Sequence, residues 1–193
     1  MKRMDRQLSK IEKTMIKEYR NALKAIRSEL AQIYATFPIT EGQRIERRRL
    51  ANLQLVIEDE LRRLYEKNRP FLIERLSDLY RDSYYMTGWS VEMELQGVQL
   101  AWGLLNPEVV QAAVLAPIDK LTLNDRLERN RRKIIAEIKH QLTQGLIRGD
   151  SYEDMARRMK KVLEQDAKKS RTIARTEGHR IINTARVESA ERS

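Results

Sequence analysis

Residues 4–37 read MDRQLSKIEKTMIKEYRNALKAIRSELAQIYATF. Their apolar side chains fall at Met4, Leu8, Ile11, Met15, Tyr19, Leu23, Ile26, Leu30, Ile33 and Phe37, three or four residues apart throughout. Nine steps cover 33 residues, about 3.67 per step, which is a hendecad-like stripe on one long helix rather than a left-handed heptad seam. At 1.5 Å per residue such a helix reaches roughly 50 Å. That is long against the radius of gyration of about 16 Å expected for a compact chain of this length, so the helix either protrudes or is clamped by a neighbour. Pro38 ends it.

The same reading extends outward. Seven glycines and four prolines punctuate 193 residues, and no run of β-branched alternation occurs, so the chain reads as all-α. Thr40 and Gln43 have capping-box spacing, and Leu50, Leu53, Ile57, Leu61 and Leu64 continue an apolar face until Arg69-Pro70 ends a second helix. The short Pro38–Thr40 joint implies an antiparallel hairpin. Residues 1–70 therefore form a helical hairpin.

Residues 71–120 differ in character. They carry a net charge of −4, while 1–70 and 121–193 each carry +7 within a total of +10. Phe71, Tyr80, Tyr84, Tyr85, Trp89 and Trp102 lie here, with Gly88, Gly97 and Gly103 allowing close approach, which suggests the packed centre. Asn106-Pro107-Glu108 is a helix start, with a capping side chain, a proline at the first position and an acid at the positive dipole end. The short helix it opens breaks at Ala116-Pro117. Residues 121–193 form a basic helical module. One helix runs from about Leu123 to Ile147, with Leu127, Ile134, Ile135, Ile138, Leu142 and Leu146 inward, and Gly149 caps it. Ser151 and Asp154 restart a helix with Met155, Met159 and Leu163 inward. Ser170 caps or joins a last helix over 171–192. The architecture expected is an elongated multi-helix assembly with an N-terminal antiparallel hairpin and a C-terminal helical module.

Composition excludes several functions. With no cysteine, disulfides, thiolate metal sites and cysteine nucleophiles are absent, and His140 and His179 have no histidine partner at metal-binding spacing, so no metal site is expected. Met1-Lys2-Arg3-Met4-Asp5-Arg6 is charged where a signal peptide needs an apolar core. The longest uncharged stretch, Leu95–Pro107, is too short and too polar to span a bilayer, so no membrane is expected.

Arg171-Thr172-Ile173-Ala174-Arg175-Thr176-Glu177-Gly178-His179-Arg180-Ile181-Ile182-Asn183-Thr184-Ala185 is the informative motif. Ala174, Gly178, Ile181 and Ala185 share a face on which small residues let another helix come close, and Glu177 stands three residues before Arg180, in pairing range. Two readings stay open for the polar face. Thr176, Glu177 and Asn183 tie the helix to its neighbour in a partly buried network, or Arg171, Arg175, Arg180 and Arg186 meet DNA or a partner. Further arginines and lysines cluster at Arg44, Arg47, Arg48, Arg49, Arg62 and Arg63, at Arg126, Arg129, Arg131, Arg132 and Lys133, and at Lys160, Lys161, Lys168 and Lys169. Such runs are solvated helix faces, or they attract phosphates without regard to sequence through counterion release. The candidates for DNA contact are Arg47, Arg48, Arg49, Arg131, Arg132, Lys133, Arg171 and Arg175. No helix-turn-helix or RNA-binding signature occurs, and aromatics do not interleave the basic runs.

Preceded by Gly145-Leu146-Ile147-Arg148-Gly149-Asp150-Ser151-Tyr152-Glu153-Asp154-Met155-Ala156-Arg157-Arg158-Met159, the motif resembles the phage head morphogenesis family, the minor head proteins similar to protein F of phage Mu. A helix–Gly–Ser–helix unit there leads into an I-A-R-T-E…N-x-A helix, matched here by Ile173, Ala174, Arg175, Thr176, Glu177, Asn183 and Ala185. The match covers about 50 residues. Longer members continue into a further part carrying Trp, Asp, Arg and His positions, so the chain looks like an N-terminal portion or a short member. The resemblance implies a non-enzymatic minor head protein with no cofactor, acting in procapsid assembly in several copies, bound to the portal protein and other head proteins. It implies residence in the virion head, assembled in the bacterial host cytoplasm. The charge adds non-specific DNA contact. The alternatives are a stand-alone helical nucleic-acid-binding protein, and the N-terminal part of an enzyme whose active site lies beyond residue 193.

Overall fold

A computed structural model describes residues 2–36, 47–95 and 105–191, without the side chains of 36, 47–50 and 52. Among them are five helices: α1 (Lys2–Thr36), α2 (Arg47–Glu94), α3 (Pro107–Leu115), α4 (Leu123–Arg148) and α5 (Tyr152–Glu191). The chain is all-α, as its periodicity implies.

The helix boundaries follow local chemistry. Asn106 accepts from the Glu108 amide at 2.9 Å to cap α3, with Pro107 at the first position. Thr122 and Asp125 cap α4 reciprocally, Thr122 N–H reaching the carboxylate at 2.9 Å and Asp125 N–H reaching the hydroxyl at 3.2 Å. At the other end Gly149 has φ +72°. Its N–H meets Leu146 O at 3.2 Å while Asp150 N–H meets Gly145 O at 2.9 Å, the double bond of a Schellman cap. Ser151 and Asp154 start α5 as expected, with Asp154 N–H on the hydroxyl at 3.2 Å. Between α3 and α4, Ile118 and Leu121 exchange two backbone bonds of 2.9 Å across Asp119 and Lys120, both at positive φ (49° and 66°), the signature of a type I′ turn.

Two boundaries differ from expectation. Arg69-Pro70 does not end the second helix, because α2 runs through Pro70 to Glu94. Pro70 is on the exposed face, where water can satisfy the carbonyl it leaves unbonded, while Leu64, Asn68, Leu72 and Leu76 keep one buried stripe across it. Packing along that stripe outweighs the local cost of about 3 kcal/mol for a proline in a helix interior. Nor does Ser170 separate two helices: it is buried inside α5. Phe37, the Pro38–Thr40 joint and the Thr40/Gln43 pair lie outside the described residues.

The chain divides into two compact units, each assembled from discontinuous segments. The first holds Met1–Lys13, Arg69–Arg126 and Thr172–Ser193, the second Thr14–Asn68 and Leu127–Arg171. In the first, Met4, Leu8 and Ile11 of α1 are buried together with Leu72, Leu76, Leu79 and Tyr80 of α2, Val110 and Val114 of α3, and Ala174, Ile181 and Ala185 of α5. In the second, Met15, Tyr19, Ile26 and Leu30 join Leu53, Ile57 and Leu61 of α2, Ile134, Ile138 and Leu142 of α4, and Met155, Met159 and Leu163 of α5. Lys67 pairs with Glu18 at 2.7 Å and Tyr19 with Tyr65 at 3.3 Å, contacts consistent with an antiparallel α1/α2 pair. The α1 stripe is thus buried as read, except that Leu23 and Ile33 are half-exposed.

The aromatic segment needs correction as a packed centre. Tyr80 and Tyr84 are buried, but Tyr85 and Trp89 lie at the surface, Trp89 with 61% exposure. They stand on the opposite face of α2 from the buried stripe. Gly97, Trp102 and Gly103 lie outside the described residues.

Candidate functional site

In the first unit the motif helix carries a buried charge tie. Glu177 is 1% exposed. One carboxylate oxygen accepts from Arg126 Nη1 and the other from Arg180 Nε, both at 3.0 Å. Each arginine then extends the tie. Arg180 donates to Ala113 O at 2.9 Å and Val114 O at 3.0 Å, in the last turn of α3, where a cation also complements the helix dipole. Arg126 donates to Ile118 O at 3.0 Å, at the type I′ turn. One carboxylate thus holds α3, the turn, the start of α4 and α5 together; Arg180 satisfies two carbonyls that the last turn of α3 leaves open, and Arg126 adds a second donor to the Ile118 carbonyl already bonded within the turn.

The rest of the motif follows from how closely α5 is packed. Ala174 and Ala185 are fully buried. A Cβ on Gly178 would lie 2.5 Å from Leu8 Cδ1, so glycine is what lets α1 approach here. Ser83 donates to Ile182 O at 3.1 Å and Ser189 to Tyr84 O at 2.9 Å. Arg175 makes a two-pronged ion pair with Glu12, at 2.7 and 3.0 Å. Ile173 is half-buried, while Thr176 and Asn183 are exposed. Of the trio expected to tie the helix inward, only Glu177 faces the interior.

In the second unit five polar side chains from four helices converge: Tyr19, Tyr65, Asn130, Asp166 and Ser170. Tyr65 donates to Asp166 at 3.0 Å, and Asn130 Nδ2 lies 2.6 Å from Asp166 Oδ1 and 2.7 Å from Tyr65 Oη. Tyr19 and Ser170 meet at 2.5 Å. Burial pushes Asp166 up to about 6 against the hydrogen bonds it receives, and burial raises both tyrosines above their ordinary range. Buried polar networks of this kind fix which helix faces meet. The sequence reading takes Tyr19 only as an apolar stripe position and Ser170 only as a cap or joint, and passes over Tyr65, Asn130 and Asp166. The usable signal was polar residues on inward positions: Asn130 is three after Leu127 and four before Ile134, and Asp166 is three after Leu163.

The DNA-contact candidates are dispersed. Arg47, Arg48 and Arg49 open α2, with side chains outside those described. Arg131 forks onto Glu128 at 2.7 and 2.8 Å and Arg132 joins it at 3.1 Å, and these bonds, Arg131's foremost, hold Glu128 down at about 2. Lys133 and Arg171 are exposed, while Arg175 is engaged with Glu12. Arg126, read with the basic run of its helix, belongs to the buried tie instead. Among the described residues no group of three histidines or carboxylates is placed to hold a metal ion, and no helix is long and apolar enough to cross a membrane.

Fold and motif together define a class: an all-helical module whose I-A-R-T-E helix is pinned by its own glutamate. Residues 136–193 match the family described as Phage Mu protein F like protein. Over 196 aligned residues, all of this chain, it is 31% identical to the minor head protein GP7 of Bacillus phage SPP1, and it spans 63% of that protein's length. The chain is thus similar to a phage minor head protein along its whole length, and its residues 136–193 carry the family's module. It is also 27% identical over 127 residues to the NAD(+)–arginine ADP-ribosyltransferase EFV of Enterococcus faecalis, an alignment covering 64% of this chain and 26% of that protein. No solved structure matches.

Proposed function

We propose that this chain is the helical part of a minor head protein that acts in procapsid assembly, attached to the portal protein and other head proteins in several copies, and touching DNA without regard to sequence. Its place is the virion head, assembled in the bacterial host cytoplasm, and its role there is structural rather than enzymatic. The observation that supports this most is the likeness to GP7 along the whole chain, joined by the family match over residues 136–193, which include Glu177 and Arg180. The excess of basic residues favours phosphate attraction. Co-expression with the portal protein of the same phage tests the attachment: a tagged chain should retain the portal through gel filtration, and free elution of both proteins refutes it. DNA affinity should fall steeply between roughly 50 and 200 mM salt and drop for all sequences when Arg47, Arg48 and Arg49 become Glu. Binding indifferent to both would remove DNA from the reading.

A second reading is favoured by the match to the transferase. In it, the same helical module precedes an enzymatic part in a longer chain. Sequencing the complete reading frame and assaying its product for ADP-ribosyl transfer to arginine distinguishes the two.

A further inference from the structure

The outward face of α1 carries a line of cations. Opposite the buried stripe, Lys2, Arg6, Lys10 and Lys13 of the first unit are all exposed, and so are Lys17, Arg20, Lys24 and Arg27 of the second. At 3.6 residues per turn they fall within an arc of about 100°, one to a turn, about 5.4 Å apart along the helix. The acids of α1 stand elsewhere. Glu12 is buried against Arg175, Glu18 is held by Lys67, Glu29 is half-buried, and Asp5 lies outside the arc. Among the described residues Arg3, at the edge of the arc, is the one cation of α1 with a carboxylate partner, Asp82 at 3.3 Å. Cations on the other helices are met where they stand: Arg62 and Arg63 by Asp59, Arg131 and Arg132 by Glu128, Arg157 by Asp154. No other described helix has so long a line of cations uninterrupted by acid.

The chemistry of the line selects its partner. Ser9 and Ser28 complete the arc, so it lacks the large apolar anchors around which a protein–protein contact is built. A helix that lies on a membrane buries its own apolar face in lipid, whereas that of α1 is buried within the protein. Duplex DNA presents one phosphate charge per about 1.7 Å of its axis, so cations set one turn apart each meet a phosphate in any register. Lysines predominate in the line, and a lysine is a point charge on a flexible stem, suited to phosphate oxygens rather than to forked recognition of a base edge. We propose that the outward face of α1 is the surface along which the chain meets the phosphate backbone of duplex DNA, each unit contributing its own four cations. The contact is indifferent to sequence and is driven by release of counterions. It rests on the DNA contact in the proposed function and gives that contact a place on α1.

Fluorescence anisotropy of two labelled duplexes of unrelated sequence, titrated with the full chain from about 50 to 300 mM salt, tests it. One variant carries Lys17→Gln, Arg20→Gln, Lys24→Gln and Arg27→Gln, and another Lys2→Gln, Arg6→Gln, Lys10→Gln and Lys13→Gln. Glutamine keeps the helix preference of the residues it replaces, so helicity should be unchanged. Each variant should lower the slope of log affinity against log salt by about 3 to 4 and bind both duplexes about a hundredfold or more weakly near 100 mM salt. Arg131→Gln with Arg132→Gln, which removes cations already paired with Glu128, should lower the slope by about 1 or less. Folded α1 variants that bind undiminished, or a Glu128-paired variant that loses as much as they do, overturn the proposal and leave DNA contact standing. A wild type that binds neither duplex removes the DNA contact itself. Poly-glutamate that displaces the chain as well as unlabelled duplex does, charge for charge, makes an acidic polypeptide the partner and also overturns the proposal. The unaltered chain supplies an arm that needs no variant. Bound duplex should slow acetylation of Lys10, Lys13, Lys17 and Lys24 and leave Lys139, ion-paired with Glu58, unchanged; protection of none of the four, or of Lys139 equally, refutes the assignment.

Discussion

Replacing Glu177 by Gln removes one charge and almost no volume from the centre of the first unit. The side chain it replaces is 1% exposed, while Arg126 and Arg180 keep 17% and 19% exposure. Truncating one partner of a fully buried pair costs about 3–5 kcal/mol, chiefly because the other charge stays behind. Here the remaining guanidiniums keep some water, and they keep their bonds to Ala113 O, Val114 O and Ile118 O. The loss expected is therefore at the lower end, about 2–3 kcal/mol, since the new amide accepts from only one arginine and turns a donor toward the other. For a chain of this size that corresponds to roughly 5–10 °C in Tm. Urea unfolding followed by far-ultraviolet circular dichroism measures it, and hydrogen exchange locates it: protection should fall first in α3 and the 118–121 turn. Arg175→Ala is the comparison: that arginine is 58% exposed, but its loss leaves Glu12, 9% exposed, without its partner, so a cost of about 1–2 kcal/mol is expected, below that of Glu177→Gln. A Glu177→Gln chain within 1 kcal/mol of the parent, or one less affected than Arg175→Ala, would refute the view that this carboxylate holds the unit together.

Three other changes test separate parts of the structure. Because Asp166 titrates at about 6 in the folded chain and near 3.9 when unfolded, the native state binds the proton more tightly, so its contribution is most favourable below pH 4 and is lost as pH rises through 6, by roughly 3 kcal/mol. Asp166→Asn should therefore gain stability relative to the parent between pH 4 and 7, and a pH-independent difference in urea midpoints would exclude Asp166 as the source. Pro70→Ala restores a helical N–H on the exposed face of α2 and should stabilise by about 1–3 kcal/mol; a loss would mean the proline sets a bend that the core requires. Gly178→Val drives a side chain into Leu8 and should cost about 2 kcal/mol or more in the same unfolding measurement, whereas a neutral result would show that α1 can retreat freely.

What could be read from the sequence divides along physical lines. Helix type, the α1 stripe and the caps at Asn106, Gly149 and Ser151 were legible because each is decided by neighbours within a turn or two. Pro70 and Ser170 misled for the same reason. Local rules place a break at each, but the outcome was set by which face the residue occupies: Pro70 where water can serve the carbonyl it leaves unbonded, Ser170 where its hydroxyl meets that of Tyr19 and accepts from Asn130. Tyr19 was read as one more apolar position in a stripe, since periodicity reports burial and says nothing of a phenol oxygen's partners. Those partners lie 46 to 151 residues away in sequence.

The motif shows the same division in sharper form. Resemblance selected Ile173 to Ala185 without saying what the residues do, and both a hydrogen-bonded tie and an arginine-mediated contact were compatible with the pattern. Their geometry separates the two roles within a single helix. Glu177, with Arg126 and Arg180, serves the interior, and Ala174, Gly178 and Ala185 set the spacing at which α5 packs. Arg171 and Arg175 point outward, the latter already matched by Glu12. A substitution that spares the first set and alters the second should leave the fold intact and change only what the surface meets.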